Sequence, residues 1–467
     1  MNSFVWIGRV CLFLAGAASV LRAEPPALAP FPPLRVEMPQ PAEEVLHGGA
    51  TAFVLEDHEL PLFTVKIWVR TGSLFEPADR TGLGGIFAEV FRSGGTRGRP
   101  PERLNRELEL MAASIETGIS AESFTVSLSA LSRDFSRVME IFKDVLLNPA
   151  FGRKQMELAR AEAIESVRRR NDDPGDLAGR TFRKIFYGPD HPRGREPEVP
   201  TLRRVQRRDL ADFHRRYFHP SRMTVAAAGD IRSEDLRSAL NRLLDGFQGS
   251  PADLPSFPPV PRPEPVVYHL ERDLSQSQVV MGQLGIARHD PAHFAMEVAN
   301  RVIGGGGSSR LFGEIRSRRG LAYSIYSFSA ERAEVGTAGI VCETKAGSTL
   351  EAVRSVRSEV SRLLRDGPAR EEVAFAREAL VNSFVFQFAS PAQIAVTHAQ
   401  LAYDGFPRDY LKSYTRRLGA VGRAEVNGVI RRYWNPERMT ILIVGRAEDF
   451  GEPLDSLGPV TKVPFKP

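Results

Sequence analysis

The strongest constraint on this chain is that it carries one stretch twice. FHRRYFHPSRMTVAAAGD occupies 213–230, and VIRRYWNPERMTILIVGRAE occupies 429–448. Arg215-Arg216-Tyr217 aligns with Arg431-Arg432-Tyr433, and Pro220-x-Arg222-Met223-Thr224 with Pro436-x-Arg438-Met439-Thr440, both at a separation of 216 residues. Each copy combines a helix end, a proline-containing turn and a buried strand, TVAAAG or TILIVG. Similarity held at one separation over such a length marks an internal duplication. Between the copies, PADLPSFPPVPRPEP (251–265) has seven prolines and no apolar period, which makes it an extended linker.

The coarse order of elements repeats as well. In the first half, alternation predicts strands at 63–71 and 122–131. Helical spacing covers 82–92, 104–115, 135–147 and 154–172, the last stopping before Pro174. The second half repeats the theme with strands at 277–284, 321–329 and 337–343. Its helices are predicted at 292–303, 309–319, 350–366 and 370–384. Strands that follow one another without a helix between, beside helix pairs, argue an α+β fold rather than a doubly wound sheet. The predicted domains are a first half at 35–248, the proline-rich linker at 249–266 and a second half at 267–455, with a tail at 456–467.

Composition narrows the function classes. With 467 residues, 42% hydrophobic and 25% charged, the chain has the make-up of a globular protein with a sizeable core. Its net charge of +5 is interspersed, without the basic, aromatic-laced blocks of a nucleic-acid binder. At the N-terminus, Arg9 precedes the apolar run Val10–Leu21 and the small-residue setting of Ala23. That run is short for a bilayer span and fits a signal peptide, 1–23, ahead of a proline-rich segment, 24–34. The expected location is an exported compartment, the periplasm, with no stable membrane span. Cys11 falls inside the signal, leaving Cys342 alone in the mature chain; an internal disulfide is thereby excluded. In its alternating strand setting Cys342 reads as a small buried hydrophobe.

EDHELPLFTVKIWVRTGSLFEP, TGLGGIFAEVFRSGGT, RRRNDDP, RRYFHPSRMTVAAAGD and GGGGSSRLFGEIRSRRGLAYSIYS together resemble the pitrilysin/insulinase family of inverted-motif zinc peptidases, which includes the mitochondrial processing peptidase subunits. The resemblance covers about residues 35–450 and implies two duplicated α/β-sandwich halves of the processing-peptidase-like metallopeptidase fold. Active members carry H-x-x-E-H on the first-half helix and a distal glutamate further on, where three protein ligands hold zinc and a glutamate serves as base. Counted from Thr81-Gly82-Leu83, the matching positions here are Gly85, Ala88 and Glu89. Counted back from Asp172-Asp173-Pro174, the distal ligand falls on Ser166, with Glu165 beside it. Neither H-x-x-E-H nor H-E-x-x-H occurs anywhere in the sequence. The resemblance therefore implies a first half without its own zinc and no catalytic residue on this chain.

In the second half the resemblance implies a retained substrate pair. Arg316 and Tyr323, seven residues apart in RSRRGLAY, match the arginine and tyrosine with which the family clamps substrate. A guanidinium and a phenol are suited to a peptide carbonyl and to the oxyanion formed on hydrolysis. The run Gly304-Gly305-Gly306-Gly307 precedes them. It lacks the lysine of a phosphate-binding P-loop and reads as a loop that allows close approach of backbone. The expected partners are a zinc-bearing homologous subunit and a peptide or unfolded protein; the alternative is a non-enzymatic scaffold or peptide-binding module in a larger complex. His289, His293 and Glu297 stand four residues apart in succession, but Pro291 makes them a solvated helix start rather than a metal face. His219 and His398 read as surface or satisfied histidines.

Overall fold

Apolar runs with β-branched residues form the strands of two six-stranded sheets in the computed structural model, which describes residues 39–465. The segments 1–23 and 24–34 lie outside the described residues. In the first half the strands are β1 (Ala42–Val45), β2 (Thr51–Glu56), β3 (Leu62–Val69), β4 (Ser114–Ile119), β5 (Phe124–Leu131) and β6 (Met223–Gly229). The second half has β7 (Val267–Glu271), β8 (Gln276–Leu284), β9 (Ala322–Ala330), β10 (Thr337–Lys345), β11 (Thr440–Gly445) and β12 (Val460–Lys462). The sheet orders are β1-β2-β6-β3-β5-β4 and β12-β7-β11-β8-β10-β9. With the outermost β1 and β12 set aside, the two orders correspond strand for strand. β6 and β11, the repeated sequence stretches, occupy the same place in each: parallel to β2 or β7, antiparallel to β3 or β8.

Those two strands lack polar alternation because both of their faces are covered. Val225 and Ala227 point into the first-half core, and Ala226 and Ala228 to the opposite face. There the helix Pro391–Tyr403, from the second half, lays Ala395, Ala399 and Tyr403 against Phe53, Trp68 and the two alanines. The exchange is reciprocal. Helix Pro174–Tyr187 of the first half presses Leu177, Phe182 and Phe186 onto Leu270, Val280, Leu442 and Val444 of the second sheet. Gly282 makes room for it, because a Cβ there would stand 2.8 Å from the Phe182 ring. Each half thus supplies a cover for the other's sheet.

One predicted helix ends early. The reading at 104–115 runs past the observed helix Pro101–Leu110, and Ile115 lies in edge strand β4. The chain turns at Ala112, whose φ is 46°, a left-handed conformation that costs energy for a residue with a Cβ. The run Met-Ala-Ala is composed like a helix, so only pairing with β5 reveals the strand. The helix predicted at 309–319 is wound as a π-helix over Phe312–Arg318, with the Arg319 N–H donating to the Glu314 carbonyl at 3.1 Å. Cys342 is buried in β10 as read, its thiol pushed up to about 12 by burial. Among the described residues no single helix is long and apolar enough to cross a membrane.

The first core also stores a pH dependence. His214, in the last turn of helix Arg207–Tyr217, packs among Phe91, Phe151 and Phe218, with Nε2 2.8 Å from the Leu146 carbonyl. Burial pushes its pKa down to about 4. Between its ordinary value near 6.5 and about 4, the unfolded chain binds a proton that the folded chain excludes, so stability falls as the pH falls through this window. Urea unfolding at both ends of the window is expected to show a smaller acid loss in His214→Gln than in the wild type.

Candidate functional site

The N-terminal end of helix Leu83–Ser93 opens into a cavity of about 750 Å³. Gly85 and Ile86 of this helix form one wall. Ala163, Ser166 and Val167 of helix Arg153–Arg169 form another, and the β4–β5 turn at 119–123 closes a third side. Second-half residues Arg288, Arg332, Tyr403 and Asp404 complete it, so the cavity is built jointly by the two halves. Two residues read as degenerate zinc positions, Gly85 and Ser166, therefore meet in one space. Glu165 does not join them; it is exposed and paired with Arg168 and Arg169. Ala88 is buried and Glu89 is exposed, without lining the cavity. At the ligand positions Gly85 offers no donor atom, Ser166 only a hydroxyl, and Glu89 a single carboxylate outside the cavity lining; Ala88, at the base position, cannot take a proton. Such a set does not fit a zinc ion, which takes three strong protein ligands in a catalyst. Among the described residues no group of three or more His, Cys, Asp or Glu side chains is arranged to hold a metal.

The charged groups of the lining are five arginines and three carboxylates. Glu76 is buried beneath the helix start and accepts the N–H groups of Gly82 and Gly84 at 2.6 and 2.8 Å, capping Leu83–Ser93 with a carboxylate. Burial outweighs those bonds and pushes its pKa up to about 7. Glu122, on the β4–β5 turn, takes Arg193 from its own half and Arg288 from the second, the latter at 2.9 Å. Burial alone raises the Glu122 pKa, but the two guanidiniums outweigh it and hold the carboxyl low. Arg288 also reaches Asp404 at 2.9 Å, and the Tyr403 hydroxyl donates to the Glu122 carbonyl at 2.7 Å. Arg70 in turn lies over the Tyr403 ring and donates to its carbonyl at 2.5 Å. Around Glu122, charged groups from both halves thus meet beside the apolar contacts of the exchanged helices. Sequence reading missed this basic lining, although the arginines of HPRGREP (191–197) were a signal for it.

The second-half candidates stand elsewhere. Arg316 is exposed on the π-helix, its guanidinium 5.0 Å from the centre of the Phe312 ring. Its neighbours Arg318 and Arg319 are both drawn onto the half-turn carboxylate Glu314, which leaves Arg316 facing solvent. Gly320 takes the left-handed conformation, φ 64°, that turns the chain into β9. Tyr323 then projects from β9, an edge strand, with 70% of its surface exposed. No hydrogen bond joins Arg316 to Tyr323 among the described residues, and neither lines the cavity. The tetraglycine run packs against the same strand. The Ser327 N–H donates to the Gly304 carbonyl at 3.2 Å, and a Cβ on Gly304 would lie 2.4 Å from that nitrogen. Gly305 accepts from the Arg301 guanidinium, whereas a Cβ on Gly307 would meet nothing.

The helix start at His293 corrects the sequence reading. His293 and Glu297 are largely buried rather than solvated: Nδ1 of His293 lies 2.8 Å from Glu331, Nε2 lies 2.7 Å from the Tyr410 hydroxyl, and Tyr414 donates to Glu297 at 3.0 Å. The residues that cover them come from distant segments, so local spacing gives no sign of burial. His219 is satisfied by Ser221 and the Gly249 carbonyl, as read. His398 packs against Phe53, its Nε2 buried without a hydrogen bond.

Comparison with known proteins gives a consistent picture. Residues 53–187 match the family described as Insulinase (Peptidase family M16), and residues 204–380 match Peptidase M16 inactive domain. An uncharacterized zinc protease of Streptomyces coelicolor is 27% identical over 333 residues, covering 69% of this chain and 72% of that protein. Human mitochondrial cytochrome b-c1 complex subunit 1 is 27% identical over 354 residues, covering 70% and 73%. Among solved structures, a peptidase M16 inactive domain from Pseudomonas fluorescens superposes with a TM-score of 0.81 at 23% identity, over 89% of this chain and 99% of that one. The periplasmic protease PqqL of Escherichia coli reaches 0.74 at 15% identity, over 91% of this chain and 49% of its own. At these identities the structural likenesses speak to fold.

Proposed function

Since this chain belongs to the M16 (insulinase/pitrilysin) peptidase family, we propose that it is an exported, catalytically incomplete subunit that holds unfolded peptide for a zinc-bearing homologous partner. One observation carries the reading. The positions that match the family's zinc ligands and base, Gly85, Ala88, Glu89 and Ser166, do not make a catalytic zinc site, while Arg316 and Tyr323 are solvent-facing. Hydrolysis needs both a polarised water and donors for the developing oxyanion. The partner supplies the first with its zinc. Arg316, on the π-helix, and Tyr323, on the edge strand that follows it, lie outside this chain's own cavity and supply the second. The signal-like sequence 1–23 supports export, with the periplasm as the proposed compartment.

A second reading rests on the likeness to cytochrome b-c1 complex subunit 1: a scaffold in a larger assembly, in which Arg316 and Tyr323 are dispensable. The readings separate on association and metal content. The purified chain is expected to carry no stoichiometric zinc by elemental analysis and to co-elute with a zinc-bearing homologous subunit. One tightly held zinc per isolated chain, or no association with such a subunit, would overturn the first reading.

A further inference from the structure

We propose that the shared cavity is a receptor for an acidic peptide segment, bound through two carboxylates by Arg195 and Arg332. This rests on reading the chain as a peptide-handling subunit and names the chemistry of what it handles. Five arginines line the cavity, Arg183, Arg193, Arg195, Arg288 and Arg332, against three carboxylates, Glu76, Glu122 and Asp404. All three carboxylates are committed. Glu76 caps a helix, Glu122 holds Arg193 and Arg288, and Asp404 takes Arg288 and the Gln400 amide, the last at 2.8 Å. Arg183 is answered from outside the lining by Glu196 at 3.3 Å.

Two guanidiniums are left over. Arg195 makes one hydrogen bond, to the Asp190 carbonyl at 2.9 Å, and Arg332 one, to the Glu331 carbonyl at 2.9 Å. Neither has an ion-pair partner among the described residues, and both are partly buried at the cavity wall. Arg195 comes from the first half and Arg332 from the second. Each retains donors in the planar fork that matches a carboxylate. Two such forks on opposite halves ask for two carboxylates on one ligand, which acidic side chains of a peptide supply and a lone chain terminus does not. A volume of about 750 Å³ falls in the range that encloses a ligand of several hundred daltons, such as a short run of residues. Loss of the zinc donors leaves this floor of the cavity free for binding without cleavage.

The test uses the full chain alone, so that it stands apart from any activity with a partner. Fluorescence anisotropy is recorded with a short, labelled, C-terminally amidated Glu/Ala peptide and its Lys/Ala counterpart. The Glu/Ala peptide is expected to bind at least about 10-fold more tightly than the Lys/Ala peptide, with an affinity that falls as salt rises. Arg195→Gln and Arg332→Gln are each expected to weaken it about 10-fold, the loss of a charge-assisted bond, and together further. Arg133→Gln, at an exposed site outside the cavity, is the control and is expected to change nothing. Both cavity arginines make a single bond to backbone, so the variants are expected to melt with the wild type. Unchanged affinity in both variants, equal binding of the Lys/Ala peptide, or binding only when the C-terminus is a free acid would overturn the proposal.

Discussion

In a complex with a zinc-bearing homologous subunit, Arg316→Ala and Tyr323→Phe are each expected to lower kcat for peptide hydrolysis by about 100-fold, the usual consequence of removing an oxyanion donor. Neither change is expected to alter the melting curve. Arg316 is exposed with its guanidinium over the Phe312 ring, and Tyr323 is 70% exposed on an edge strand. That combination separates function from structure: a surface pair without a role would move neither quantity, and a structural pair would move both. The split between kcat and KM refines the assignment. Groups that grip only the transition state lower kcat with KM nearly unchanged, whereas groups that grip the ground state equally raise KM. Steady-state kinetics on the reconstituted complex distinguish the two.

The second large effect concerns the exchanged helices. Phe186 of helix Pro174–Tyr187 is fully buried against the second sheet, and its ring packs with Phe182 and Tyr187. Phe186→Ala is expected to cost about 3–5 kcal/mol, the transfer free energy of the ring plus the cavity it leaves. The same helix contributes Arg183 and Tyr187 to the cavity wall. A chain that still folds is therefore expected to bind acidic peptide less tightly as well. Denaturant unfolding and the anisotropy assay on one variant check both consequences.

Much of this architecture was legible because it is local and repeated. The Pro-x-Arg-Met-Thr stretch at 220–224 and 436–440 marked β6 and β11 as equivalent, and strand-like runs located β3, β5, β8, β9 and β10. The absence of H-x-x-E-H and H-E-x-x-H was readable in the sequence itself, whereas the positions Gly85, Ala88, Glu89 and Ser166 rest on the resemblance. What stayed hidden depends on segments far apart in the chain. Residues 111–115 read as the end of a helix until Ser114 and Ile115 are paired with β5. The burial of His293 is decided by Tyr410, Tyr414 and Glu331. The basic cavity exists only because Arg195 and Arg332, from different halves, face the same space. A sequence pattern records periodicity along one element; it does not record which elements the fold brings face to face.

The most direct test is hydrolysis of an unfolded peptide by this chain alone, by the zinc-bearing homologous subunit alone, and by the two mixed. The account predicts no turnover by this chain alone, strong turnover by the mixture and its loss on chelation. Chelator-sensitive turnover by this chain alone, or a mixture no more active than the zinc-bearing subunit by itself, would contradict it.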